Sequence, residues 1–71
     1  MRAELIVDEI KKQGATHIVG LPDNGARSLF EALWRDPDLD VVTVTREGEA
    51  FAVAAGLYLG GKHPVVVIQN T

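Results

Sequence analysis

Glu47 and Glu49 flank Gly48 in Thr45-Arg46-Glu47-Gly48-Glu49, directly after the β-branched run Val41-Val42-Thr43-Val44. The residues that follow, Ala50 to Leu59, are almost free of polar side chains. A strand that ends there and a helix that begins there put both acids in the helix's first turn. Such an acid has two uses. In water it stabilises the positive end of the helix dipole by a few tenths to about 1 kcal/mol. In a dry site it exchanges a proton with a ligand, because burial raises a carboxyl pKa while a helix N-terminus and a neighbouring arginine lower it. Two residues apart, the acids leave the helix on different sides, so they do not both face one ligand. On the residues alone, both uses stay open.

Other chemistry-bearing residues are fewer. Gly20-Leu21-Pro22-Asp23-Asn24-Gly25 has glycines spaced like a phosphate loop, but Ala26-Arg27 stand where Lys and then Ser or Thr belong, and Asp23 repels an anion. No GxGxxG is present, which excludes the dinucleotide fingerprint. The segment reads as a strand-to-helix turn capped by Asn24, or as a rigid polar loop lining a pocket. His17 and His63 lack ligand spacing, Ser28 has no G-x-S-x-G frame, and no metal site is expected. Phe30 and Trp34 lie at helix spacing and are expected in the core.

The elements that must hold these residues follow from periodicity. Ala3, Ile6, Val7 and Ile10 recur at helical spacing over about residues 2–13, with acids early, lysines late and Gly14 as the stop. A short strand over 16–19 precedes a second helix over 26–35, ended by Asp36-Pro37. Strands over 41–44 and 65–68 bracket a third helix over 47–59 that stops at Gly60-Gly61. Neither strand alternates with polar residues, so both are expected to be buried on two faces, 65–68 most of all. The order α-β-α-β-α-β implies parallel strands with right-handed crossovers. The expected product is a three-layer α/β/α fold with strand order 2-1-3. Ligands of such sheets bind beyond the carboxyl ends of the strands, where Gly20–Gly25, Arg46–Glu49 and Gln69–Thr71 fall.

Composition narrows the partners. The chain has 71 residues, of which 46% are hydrophobic and 24% charged, so it holds one domain at most. A net charge of −3 gives no reason to expect nucleic acid, and the absence of cysteine excludes a disulfide framework. Ala50 to Leu59 is too short for a membrane span, so a cytoplasmic protein is expected. Three parallel strands with an open edge and a third helix without a polar face point to a fragment, or to an obligate part of an oligomer.

Three stretches also carry a resemblance: Gly20-Leu-Pro-Asp-Asn after the first strand, Val-Thr-Arg46-Glu47 before an Ala-rich helix with Gly56-Leu-Tyr-Leu-Gly60, and Val-Val-Val-Ile-Gln69-Asn70. Together, over the whole chain, they resemble the pyrimidine-binding domain of thiamine-diphosphate enzymes, sulfopyruvate and phosphonopyruvate decarboxylases above all. Acetolactate-synthase-type enzymes are similar in layout but carry Arg-His-Glu at the helix. The resemblance implies half of a thiamine-diphosphate-binding fold, residues 1–71 being a partial pyrimidine-binding domain. It implies that Glu47 bonds N1′ of the cofactor's aminopyrimidine and so promotes proton removal from thiazolium C2, ahead of decarboxylation of a small 2-oxo acid. It further implies that Pro22, Asn70 and Thr71 border the cofactor and that Asp23 and Asn24 face the substrate. The Gly-Asp-Gly…Asn motif that holds Mg²⁺ and the diphosphate is not in this sequence, so a diphosphate-binding domain or subunit is the implied partner. The chain alone is then expected to be inactive. A carboligase half-site and a non-enzymatic α/β association module are the alternatives.

Overall fold

The computed structural model describes residues 2–22 and 26–68. Its elements are α1 (Ala3–Lys12), β1 (His17–Gly20), α2 (Arg27–Arg35), β2 (Asp40–Thr43), α3 (Glu47–Leu59) and β3 (Pro64–Val67), in the expected α-β-α-β-α-β order. The strands are parallel and the sheet order is β2-β1-β3, as expected.

Register explains the layers. Ile18 pairs with Val41 and Val65, and the next row pairs Val19 with Val42 and Val66. Successive side chains of a strand point to opposite faces. The Ile18 row packs under α1 and α2 with Val7, Phe30, Leu33 and Leu39, and the Val19 row packs under α3 with Ala50 and Ala54. From β1 the chain moves to one side through α2, then from β2 back past β1 through α3. Two right-handed crossovers made in opposite directions must lie on opposite faces, which gives three layers.

The helix ends are set by local chemistry. Both α1 and α3 close with paired backbone bonds that satisfy their last carbonyls. Gly14 N–H donates to the Lys11 carbonyl at 3.0 Å and Ala15 N–H to Ile10 at 3.4 Å; Gly61 N–H donates to Tyr58 at 3.0 Å and Lys62 N–H to Leu57 at 2.9 Å. Gly14 (φ +84°) and Gly61 (φ +88°) take the left-handed conformation this closure requires, one that side chains resist. After α2, Asp36 is already extended (ψ 120°), because Pro37 excludes the helical region before it.

Three burial expectations need correction. The β3 strand is half-buried throughout, and β2 is half-buried at Val41 and Val42 and exposed at its ends; β1 holds the fully buried Ile18 and Val19. Among the described residues the order 2-1-3 makes β1 the only strand with neighbours on both sides, so the outer strands are less enclosed. Trp34 is not core: it is 52% exposed and only tilts against the buried Phe30, with ring centroids 5.7 Å apart. The α2 face at its C-terminal end has no further element to cover it among the described residues. The third helix covers one side only. Its Phe51, Tyr58 and Leu59 are 58%, 71% and 84% exposed.

Candidate functional site

The carboxyl ends of the strands form one level. Gly20 is in register with Thr43 on one side and with Val67 on the other, and the Val44 N–H donates to the Gly20 carbonyl at 3.0 Å. Gly20 is needed here for space. A Cβ would run into the Val67 carbonyl oxygen and lie 2.8 Å from Phe30 Cζ, so the β1 strand can leave this level only where the side chain is absent.

From this level Leu21-Pro22 continues β1, and Val44-Thr45-Arg46 continues β2 into α3. Pro22 is exposed and so is Glu47, the first residue of the helix. These two expected site residues therefore leave the same end of adjacent strands. Asp23 and Asn24, expected at the substrate, and Asn70 and Thr71, expected at the cofactor, lie outside the described residues, as does the expected Asn24 cap.

The two acids of the first turn are used differently. Glu49 folds back on the entry of its own helix: its Oε1 accepts the Thr45 backbone N–H at 3.0 Å and the Thr45 hydroxyl at 3.0 Å. Those bonds, the backbone one foremost, hold its carboxyl below the ordinary value, against a small opposing effect of burial. Glu47 makes no side-chain hydrogen bond or ion pair with any described residue. Arg46, extended at φ −137° and ψ 147°, is the residue from which α3 starts and forms no ion pair with a described residue. One acid is thus committed to the turn, and the other presents a carboxylate outward.

The Thr45–Glu49 bonds have a signal in the sequence. A Glu in the third helical position, reaching back past the cap, is the acid half of a capping box, here with Thr45 one residue earlier than usual. The amino ends of the strands hold a second unforeseen cluster. The Thr16 hydroxyl accepts the His63 N–H at 2.8 Å and lies 2.8 Å from His17 Nδ1, while His17 Nε2 is 3.6 Å from Asp40. Nearby, Lys11 Nζ bridges Asp36 and Asp38 at 3.0 Å each. Both histidines thus serve the strand junctions. Among the described residues no group of three or more His, Asp or Glu side chains is placed to hold a metal ion, and no helix is long and apolar enough to cross a membrane.

Comparison with known proteins bears on the family of the chain. The sulfopyruvate decarboxylase subunit alpha of Methanothermobacter thermautotrophicus is 35% identical over 69 residues, which are 97% of this chain and 42% of that protein. The phosphonopyruvate decarboxylase of Streptomyces viridochromogenes is 41% identical over 58 residues, 82% of this chain and 15% of that protein. The acetolactate synthase of Bacillus subtilis is 35% identical over 69 residues, 96% of this chain and 12% of that protein. The chain thus spans less than half the length of each of these relatives. The profile described as "Thiamine pyrophosphate enzyme, N-terminal TPP binding domain" matches residues 2–71, nearly end to end, and the chain belongs to that family.

Proposed function

We propose that this chain provides the pyrimidine-binding half-site of a thiamine-diphosphate-dependent 2-oxo-acid decarboxylase of the sulfopyruvate or phosphonopyruvate type. The observation that carries the reading is Glu47: a carboxylate at the first residue of α3, beyond the carboxyl end of the sheet, with no bond to any described residue. It sits in the Val-Thr-Arg-Glu stretch that the resemblance rests on, and similarity to two decarboxylases supports the subgroup. The residues suit one part of the cofactor, its aminopyrimidine, because a heteroaromatic nitrogen needs a single carboxyl and no described residue bonds that of Glu47.

When bound, thiamine diphosphate supplies the electron sink for the carbon–carbon bond that breaks as CO2 leaves. The task of Glu47 is to share and move one proton at the ring nitrogen N1′. Arg46 and the first turn of α3 orient that carboxyl, and Pro22 borders the ring from the adjoining strand end. We assign Asn70 and Thr71 to the same side and Asp23 and Asn24 to the 2-oxo acid. Proton exchange of this kind is efficient where water is excluded, since burial brings a carboxyl pKa towards neutrality. Glu47 is exposed in this chain, and so is the large apolar side chain of Phe51, one turn further along α3. We therefore infer that a diphosphate-binding domain or subunit, carrying Mg²⁺, covers this face, and that the 71-residue chain by itself is inactive. The name "subunit alpha" borne by one relative is in keeping with a separate partner.

The test is CO2 release from sulfopyruvate and phosphonopyruvate. In the enzyme that carries this chain, Glu47→Gln is expected to lower turnover by about 100- to 10,000-fold, the usual worth of a positioned acid–base group, with folding intact. Wild-type turnover in that variant would sink the assignment, and CO2 released by the 71-residue chain with thiamine diphosphate and Mg²⁺ would sink its inactivity. A second reading, a carboligase, draws on the acetolactate synthase similarity; acetolactate formed from pyruvate would favour it.

A further inference from the structure

We propose that Glu49, acting through Thr45, is the positioning residue that fixes where Glu47 points. This rests on the reading of Glu47 as the proton-exchanging carboxylate. The segment that carries Glu47 is anchored at two ends. Before it, Val44 is tied to β1 by its N–H on the Gly20 carbonyl at 3.0 Å. After it, Ala50 is fully buried against Val19, and its N–H closes the first helical turn on the Arg46 carbonyl at 3.2 Å.

Between those anchors every residue from Thr45 to Glu49 is exposed, and Gly48 has no atom within 4 Å of where its Cβ would be. Among the described residues, no burial holds the turn in place. What spans it is the Glu49 carboxylate: its Oε1 takes both the backbone N–H and the hydroxyl of Thr45, each at 3.0 Å. This closes a ring around Arg46, Glu47 and Gly48. Without it, Thr45 loses its tie to the first turn, and the start of α3 is held only by the Ala50 N–H on the Arg46 carbonyl and can fray. The bonds also engage Oε1 of Glu49, whereas the Glu47 carboxylate has no bond to a described residue. A carboxylate does this better than an amide, since bonds to a charged acceptor are stronger.

The experiment uses the assembled enzyme and two readouts. Backbone amide exchange over residues 45–50, measured without cofactor, reports the turn; kcat and KM report the reaction. Glu49→Ala is expected to speed exchange at Thr45 and to lower kcat by roughly tenfold or more, with KM for the 2-oxo acid little changed, because a misplacement of 1 Å costs about 100-fold. Thr45→Val should do the same to a smaller degree, and Thr45→Ser should restore most of the rate. In a Glu47→Gln background, Glu49→Ala should add no further loss, since a residue that acts through another has nothing left to position. If Glu49→Ala does not fold, Thr45→Val carries the same comparison in that background. Wild-type kcat in Glu49→Ala beside a crippled Glu47→Gln would overturn the positioning role and leave the reading of Glu47 standing. Losses that multiply in the double variant would overturn it too, by giving Glu49 a task of its own. Wild-type kcat in Glu47→Gln would remove the underlying reading instead.

Discussion

On the face of the sheet under α1 and α2, Val7, Ile18, Phe30, Leu33 and Leu39 close over one another, with Phe30, Ile18 and Leu33 fully buried. On the face under α3 the buried residues are Val19, Ala50 and Ala54, with Val53 and Leu57 half-buried beside them, and Phe51, Tyr58 and Leu59 of that helix stand in water instead. The first face is built from volume, and its helices are amphipathic in the ordinary way. The second is built from small residues that let the helix lie close to the sheet, and its outer side has no polar covering. A helix that turns large apolar residues outward fits the proposed partner domain or subunit on that side. The candidate site stands at the mouth of that second face. On the proposed reading, the fold's stability and its function are drawn from opposite sides of one sheet.

This contrast is broken most readily by truncating one large residue on each side. Phe30→Ala should destabilise the chain by about 3–5 kcal/mol, the range for emptying a buried aromatic site, read as a lower urea midpoint. Phe51→Ala on α3 should change the midpoint by no more than about 0.5 kcal/mol while reducing self-association in sedimentation. Equal effects on stability would erase the distinction between the faces. Gly20→Ala comes next. The Phe30 ring lies where the new methyl would go and the Val67 carbonyl blocks it further, so a loss of about 1–3 kcal/mol is expected from overpacking.

Gly56→Ala sharpens the comparison from the other direction. A Cβ at Gly56 meets nothing within 4 Å, so in the isolated chain the substitution should stabilise α3 by about 0.8–1 kcal/mol. In the assembled enzyme the same methyl should lower turnover or subunit affinity if a partner's backbone approaches that side. A gain in stability in both settings would show that the outer side of α3 stays uncovered.

Much of this architecture was legible in the sequence because it is local. The stop signals at Gly14 and Gly60-Gly61, the break at Asp36-Pro37 and the strand–helix alternation depend on residues close in the chain. The alternation then leaves few topologies. Burial was less legible, because it depends on neighbours distant in sequence. Val65-Val66-Val67 is as apolar as any strand core, yet it is an outer strand and only half-buried. Trp34 shares the periodicity of Phe30, but the sheet ends before it is covered. At the site, helix phase separates Glu47 from Glu49, and the resemblance is what ranks Glu47 first. What the sequence could not display is that Glu49 is already bonded, since Thr45 is four residues away and becomes its partner only once the strand turns into the helix.

The smallest expected effects are in the response to acid, and they separate the two faces once more. Glu49 titrates below its ordinary 4.5 because the Thr45 backbone N–H, then its hydroxyl, favour the charged form. Asp36 titrates below its ordinary 3.8, held by the Asp38 N–H and then by Lys11. A carboxyl with a depressed pKa in the folded chain contributes stability that is present above its unfolded pKa and is lost as pH falls through the folded one. Lys11 is shifted upward from 10.5 by Asp36 and Asp38, so its contribution is present below that value and is lost only as pH rises through the raised one. Stability should then be level, as far as these groups decide it, between about 4.5 and 10.5, and should fall on the acid side in two separable parts. All three groups are solvated, so each part is small. The amide resonance of Thr45 should move with an apparent pKa below 4.5 and stop moving in Glu49→Gln, while that of Asp38 should follow Asp36 and stop in Asp36→Asn. If the Thr45 amide keeps titrating in Glu49→Gln, another acid governs the start of α3. The turn that presents Glu47 would then be held by something other than Glu49.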